Sequence, residues 1–246
     1  MPRYDFSAQR LFVDAPLTAG AEVPLDAAQA NYLRNVLRMA AGDAVIVFNG
    51  RDGEWRAAVA ALEKKRGTLA VDALLRPQAA AGDLWYLFAP LKHARLDYMV
   101  EKAVEMGVSR LQPVFTRRTQ ASRVNLERMR ANAIEAAEQC GVLALPEIGE
   151  PAPLARIVAD WPAGRTLVFC DEDAAVADPL AALAAAEGPL AVLVGPEGGF
   201  DEAERALLLR VPSAIRLSLG PRILRADTAA IAALAVVQAT KGDWRS

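Results

Sequence analysis

The stretch from Leu190 to Val237 constrains this chain more than any other, because it carries two strand-loop-helix units in immediate succession. Leu190 to Val194 is a short apolar run bounded by Pro189 and Gly195, the pattern of a strand buried on both faces of a parallel sheet. A Gly195-Pro196-Glu197-Gly198-Gly199 loop follows. Asp201 then offers an N-cap carboxylate, and Glu204 completes a capping box for a helix predicted through Leu209. The second unit predicts a strand over Ile215 to Leu219, a loop over Gly220 to Asp227, and an apolar helix over Thr228 to Thr240 capped by Asp227 or Thr228.

Two glycine-bearing loops at strand C-termini are where an open α/β sheet binds its ligand, although a glycine cluster alone can equally be a tight turn. Neither loop has a phosphate-cradling pattern: there is no Gly-x-x-x-x-Gly-Lys-Ser/Thr, and Gly195 to Phe200 does not fit Gly-x-Gly-x-x-Gly. Pro196 has no N–H to donate and Glu197 is acidic, so both are poor neighbours for a phosphate. A neutral or cationic ligand held by main-chain groups fits better, such as the adenosyl-sulfonium of S-adenosylmethionine.

LVGPEGGF at 193–200 followed by LGPRILRADTAA at 219–230 resembles the paired C-terminal signatures of the RsmE branch of the SPOUT methyltransferases. The resemblance implies methylation of uridine N3 in 16S ribosomal RNA of the small subunit, with S-adenosylmethionine as cofactor. It also implies an α/β fold: an N-terminal PUA-like RNA-binding β-barrel over 1–75, a linker over 76–83, and a SPOUT domain over 84–246 with a mostly parallel sheet and a deep trefoil knot.

Composition is that of an ordinary globular chain: 246 residues, 53% hydrophobic and 24% charged. The N-terminal residues have no apolar core of a signal peptide, and no run approaches a membrane span, so a cytoplasmic, non-membrane protein is expected. Cys140 and Cys170 read as small buried hydrophobes. His93 is the only histidine and no Cys-x-x-Cys occurs, so no metal is expected, and a Ser-His or Cys-His nucleophile would have to use His93. The net charge of −2 is at odds with an RNA partner until it is divided along the chain. Residues 131–209 hold three basic and fourteen acidic side chains, which leaves the rest of the chain with a basic excess.

Residues 1 to about 75 alternate apolar runs (Arg10 to Val13, Ala44 to Phe48, Trp55 to Leu62, Thr68 to Leu74) with Asn-Gly and Asp-Gly turns, which predicts hairpins of a small barrel. One helix is expected over Ala27 to Met39, with Tyr32, Val36 and Met39 on one face, Leu33 and Leu37 beside them, and Arg34 and Arg38 a turn apart, on phosphates or simply solvated. The RsmE pattern in this helix has a histidine where this chain has Asn31. From residue 84 onward, strands and helices alternate. Thr116 to Arg130 is the densest basic run, suited to an RNA backbone or to a solvated face. The expected RNA contacts are Arg10, Arg34, Arg38, Lys92, Arg117, Arg118 and Arg123.

The resemblance assigns the donor to the main chain of Val194, Gly195, Pro196, Glu197, Gly198 and Gly199 in one loop. In the other it uses Leu217, Ser218, Leu219, Gly220, Ile223, Leu224 and Thr228. Phe169 and Ile223 are expected to line the apolar wall. Arg225 or Arg222 would stabilise the developing uridine anion, and Glu197 is a candidate proton acceptor or a turn residue. The family reads Leu-Arg-x-Glu-Thr-Ala after the second loop, whereas Ala226 and Asp227 stand here, and Val142 replaces an arginine after Glu138-Gln139-Cys140-Gly141. Relatives dimerise through the knotted domain, so a homodimer is expected. Alternatives are ribose 2′-O methylation and a non-catalytic RNA-binding or ribosome-assembly factor on the same fold.

Overall fold

The computed structural model describes residues 8–80, 82–92, 94–174 and 178–245, so His93 lies outside the described residues. The chain divides into two compact units, residues 1–80 with 137–145 and residues 81–136 with 146–246. Among the described residues, no helix is long and apolar enough to cross a membrane.

The first unit contains β1 (Arg10–Phe12), β2 (Glu22–Leu25), α1 (Ala27–Asn31), β3 (Ala44–Phe48), β4 (Glu54–Leu62) and β5 (Gly67–Arg76). The strands form one sheet in the order β1-β3-β4-β5-β2, antiparallel except for the β1 to β3 pair. The expected barrel is therefore a five-stranded sheet ending at β1 and β2. Those strands have only three and four residues, and Pro24 within β2 lacks the N–H that a central strand must donate. The Asn49 to Gly53 turn is a hairpin as predicted: the Asn49 side chain, 3% exposed, accepts from the N–H groups of Arg51 and Asp52 at 2.9 and 2.8 Å.

The helix predicted over 27–39 is α-helical only to Asn31 and then widens into a π turn over Tyr32–Val36. Across the widened turn Leu33 is fully buried while Val36, expected to share a face with Tyr32 and Met39, is 61% exposed. Arg38 leaves the turn at a left-handed φ of 57°.

From residue 84 the chain continues with β6 (Leu84–Phe88), α2 (Ala94–Glu105), β7 (Arg110–Phe115), α3 (Leu126–Cys140, whose last four residues belong to the first unit), β8 (Glu147–Ile148), β9 (Ala152–Pro153) and α4 (Leu154–Ala159). Then come β10 (Thr166–Cys170), α5 (Pro179–Ala184), β11 (Leu190–Val194), α6 (Glu202–Leu208), β12 (Ala214–Leu217) and α7 (Ala226–Lys241). The sheet runs β12-β10-β11-β6-β7-β8, with β9 also on β7, and every pairing is parallel. All five residues of β11 are buried, as a strand covered on both faces requires. Because the strands point one way, the loops after β6, β7, β10, β11 and β12 all emerge at one edge.

Candidate functional site

At that edge lies a hollow of about 330 Å³, bounded by the loops after β10, β11 and β12 and the start of α7. Its volume is at the lower end of small-molecule sites, about 300–1,000 Å³. A more open depression of about 880 Å³ lies at the opposite edge, around Trp161, Gly164, Gly188 and Val211. That depression faces strand N-termini, whereas open parallel sheets bind ligands beyond their C-termini, so the smaller hollow is the candidate site.

The first wall is the 195–200 loop. Gly199 turns at a φ of 69° and its N–H closes the turn on the Pro196 carbonyl at 2.9 Å. Phe200 forms the floor, 3% exposed and packed edge-on against Phe169 with ring centres 6.2 Å apart. A Cβ on Gly195 would stand 3.0 Å from that ring, so glycine lets main chain and ring share the space. The loop ends in the predicted capping box: Asp201 accepts from the Glu204 N–H at 2.8 Å and Glu204 accepts from the Asp201 N–H at 3.1 Å. The Glu204 N–H and the Arg117 guanidinium hold the Asp201 carboxyl below its ordinary range.

The second wall is the 217–224 segment, where Gly220 sits at a φ of 94°. Helix α7 begins at Ala226, two residues earlier than predicted. Its N-cap is Arg225, whose side chain makes no capping bond. Asp227 falls in the first turn, where its charge suits the helix dipole and its Oδ1 accepts from the Thr228 N–H at 2.9 Å.

The structure brings together around the hollow Val194, Gly195, Pro196, Glu197, Gly198, Gly199, Leu217, Leu219, Gly220, Arg222, Ile223 and Leu224. Phe169, Ser218, Arg225 and Thr228 are not among its lining residues. Phe169 is fully buried in the core, so the wall is Phe200 instead, with Cys170 one strand position on. Ile223 stands at the rim, 97% exposed. Sequence reasoning missed Asp171, Glu172, Phe200 and Pro221, although Asp171 and Glu172 directly follow the apolar run Thr166 to Cys170, which has the pattern of a buried strand. Burial, helped by Asp171 and Glu172, pushes the Cys170 thiol up to about 12, so it stays protonated near neutral pH.

Lys92, Arg117, Arg118 and Arg123 are all exposed on loops at this same edge. Arg118 donates to the Gly198 carbonyl and the Arg117 N–H to Glu204 Oε1 at 2.7 Å, which ties the basic loop to the first wall. Arg128, also in the basic run, is held by Asp97. Arg10 requires correction as an RNA contact: its side chain is 9% exposed, paired with Glu54 and stacked on Phe48 at 4.8 Å. Arg34 and Arg38 are exposed.

A small mixed sheet unit and a parallel sheet with a hollow beside a basic loop are the parts of this chain, and its matches to family models place it in the class of RNA methyltransferases with a PUA domain. Residues 78–238 match the RNA methyltransferase domain family and residues 25–72 the RNA methyltransferase PUA domain family. The chain is 31% identical to the ribosomal RNA small subunit methyltransferase E of Synechocystis sp., over 94% of this chain and 78% of that protein. It is 28% identical to the protein of the same name from Rickettsia conorii, over 93% and 94% of the two chains. A crystal structure of a ribosomal RNA small subunit methyltransferase E from Neisseria gonorrhoeae bound to S-adenosyl methionine superposes with a TM-score of 0.84 at 26% identity, covering 94% of this chain and 97% of that one. The chain belongs to the ribosomal RNA small subunit methyltransferase E family.

Proposed function

We propose that this chain transfers a methyl group from S-adenosylmethionine to N3 of a uridine in 16S ribosomal RNA of the small subunit. The observation that carries the reading is the hollow between the 195–200 and 217–224 segments, at the ligand-binding edge of the sheet, in a member of this family. Its walls suit an adenosyl group: main chain bared by Gly195, Gly198 and Gly199, and apolar faces from Val194, Leu219 and Leu224. Carboxylates of Glu172 and Glu197 beside it suit a cationic centre. S-adenosylmethionine, when bound, supplies a methyl group already activated on sulfur.

What remains for the protein is to align the base and manage its N3 proton. Glu197, exposed where it borders the hollow, is the candidate acceptor for that proton. Arg222 on the other wall, with Arg225 at the start of α7, supplies positive charge for the uridine anion. Incubation of small-subunit RNA with enzyme and methyl-labelled donor, followed by nucleoside mass spectrometry, tests the reading. Label in 3-methyluridine is expected; label only in a ribose 2′-O-methyl nucleoside, or in no nucleoside, would reject it.

The RNA footprint proposed here is Lys92, Arg117, Arg118 and Arg123 on the second unit and Arg34 and Arg38 on the first. Affinity for single-stranded RNA should fall with rising salt by about 0.7 log units per log unit of salt for each phosphate contacted. Replacing Arg117 and Arg123 by alanine should flatten that slope, and an unchanged slope would remove them from the footprint. Ribosomal RNA as substrate implies action in the cytosol.

A homodimer completes the reading. Ile223 is 97% exposed at the rim of the hollow, and the outer side of α7 carries half-buried Ile231, Ala235 and Val236, an apolar edge that a second copy would cover. Light scattering at micromolar concentration should return twice the chain mass of 26.3 kDa, and a monomer mass would refute this.

A further inference from the structure

Asp171 is among the residues that line the hollow, yet its side chain is wholly buried, 0% exposed. Arg216, on β12, donates from Nε to Asp171 Oδ2 at 2.8 Å. Arg205, on α6, brings its Nε to 3.2 Å from Oδ1. The Asp171 N–H donates to the Leu217 carbonyl at 3.1 Å, and Asp171 Oδ1 accepts from the Asp173 N–H at 3.1 Å. The same two guanidiniums continue to Asp173, Arg205 to its carboxylate at 3.0 Å and Arg216 to its carbonyl at 2.7 Å.

These partners are the elements that set the two walls. Helix α6 fixes the far end of the 195–201 loop, and β12 delivers the chain into the 218–225 loop. Resting on the reading of the hollow as the donor site, we propose that Asp171 is a positioning residue that fixes the separation of the two walls and hence affinity for the methyl donor. A buried ion pair contributes little net stability compared with apolar packing, but its partners have few alternative arrangements once water is excluded. A carboxylate held from two directions restrains both wall elements, where an apolar contact would let them slide. Asp171 need not touch the donor for this.

The test is calorimetric titration of S-adenosylmethionine into the full-length wild type, Asp171→Asn and Arg216→Gln, with melting temperature and RNA affinity measured on each. Asparagine keeps the shape and removes the charge that both arginines use. Donor Kd should rise about tenfold or more in Asp171→Asn, as expected for losing a charge-assisted bond. RNA affinity should stay within about twofold, and kcat at saturating donor should be largely kept. The double variant should bind no worse than the weaker single one, because both substitutions cut the same clamp.

Donor affinity unchanged in both single variants, with the wild type binding normally, would overturn the inference and leave the functional reading intact. A wild type that takes up no donor would overturn both. A fall in RNA affinity as large as the fall in donor affinity would also overturn the inference, since general loosening would then explain the change; a lower melting temperature alone is the expected cost of breaking a buried pair. Should Asp171→Asn fail to fold, Arg216→Gln decides by the same criteria, since it cuts one arm at a half-exposed side chain and leaves Arg205 in place.

Discussion

Removing both guanidiniums at the second wall, Arg222→Ala with Arg225→Ala, is expected to lower kcat by about two to three orders of magnitude, the range seen when a stabiliser of developing negative charge is deleted. Donor affinity should change by less than about threefold. The reason is the timing of the charge. On the proposed reading the donor bears its charge before the reaction and is held by main chain, whereas the uracil ring would become anionic only as N3 gives up its proton. A contact made only then lowers kcat and kcat/KM together and leaves ground-state binding alone.

The single variants then apportion the loss. Arg222 borders the hollow and Arg225 does not, so Arg222→Ala should cost more. Single-turnover methylation with saturating donor and RNA measures this directly. Turnover in the double variant within a factor of about three of wild type would remove both residues from the chemistry.

Glu54→Gln should destabilise the first unit by about 3–5 kcal/mol, the cost of breaking a buried ion pair from one side. Glu54 is 5% exposed in its side chain and accepts from Arg10 and from both Nε and Nη2 of Arg76, the latter at 3.0 Å. Arg10, itself 9% exposed, cannot swing out to water to recover what it loses. Hydrogen exchange of the β3, β4 and β5 amides as urea is raised reads the effect on this unit separately from the other. Protection within about 1 kcal/mol of wild type would mean that the guanidiniums find other partners. Because Arg10 is occupied in this way, Arg10→Ala should alter stability more than RNA affinity.

These two predictions separate what was legible from what was not. The two loops that bound the hollow could be read from residues 193–230 because their parts are local: glycines free to turn, a strand end on one side and a helix start on the other. Asp201 and Glu204 illustrate this, since a capping box joins residues three apart and is set by the chain's own geometry. The alternation of strand and helix after residue 84 implied a parallel sheet for the same reason.

The departures share another cause. Arg10 looked like any surface cation until Glu54, forty-four residues away, was placed beside it. The helix after Ala27 was expected to group Val36 with Tyr32 and Met39, yet a π turn shifts its register and leaves Val36 exposed. Arg225 takes the cap position that Asp227 or Thr228 was expected to fill, because the chain turns into α7 two residues earlier.

By itself, then, the sequence determined the parallel sheet, the two glycine loops and the helix that caps the first of them, all consequences of torsional preference and hydrophobic period over a few residues. Only the tertiary structure decided which charges are spent inside the protein and which border the hollow. Phe200 and not Phe169 floors the hollow, Arg10 is buried, and Asp171 is gripped by Arg205 and Arg216, because a charge or ring is committed by what packs against it. Those partners lie tens of residues away, where nothing in the local pattern records them.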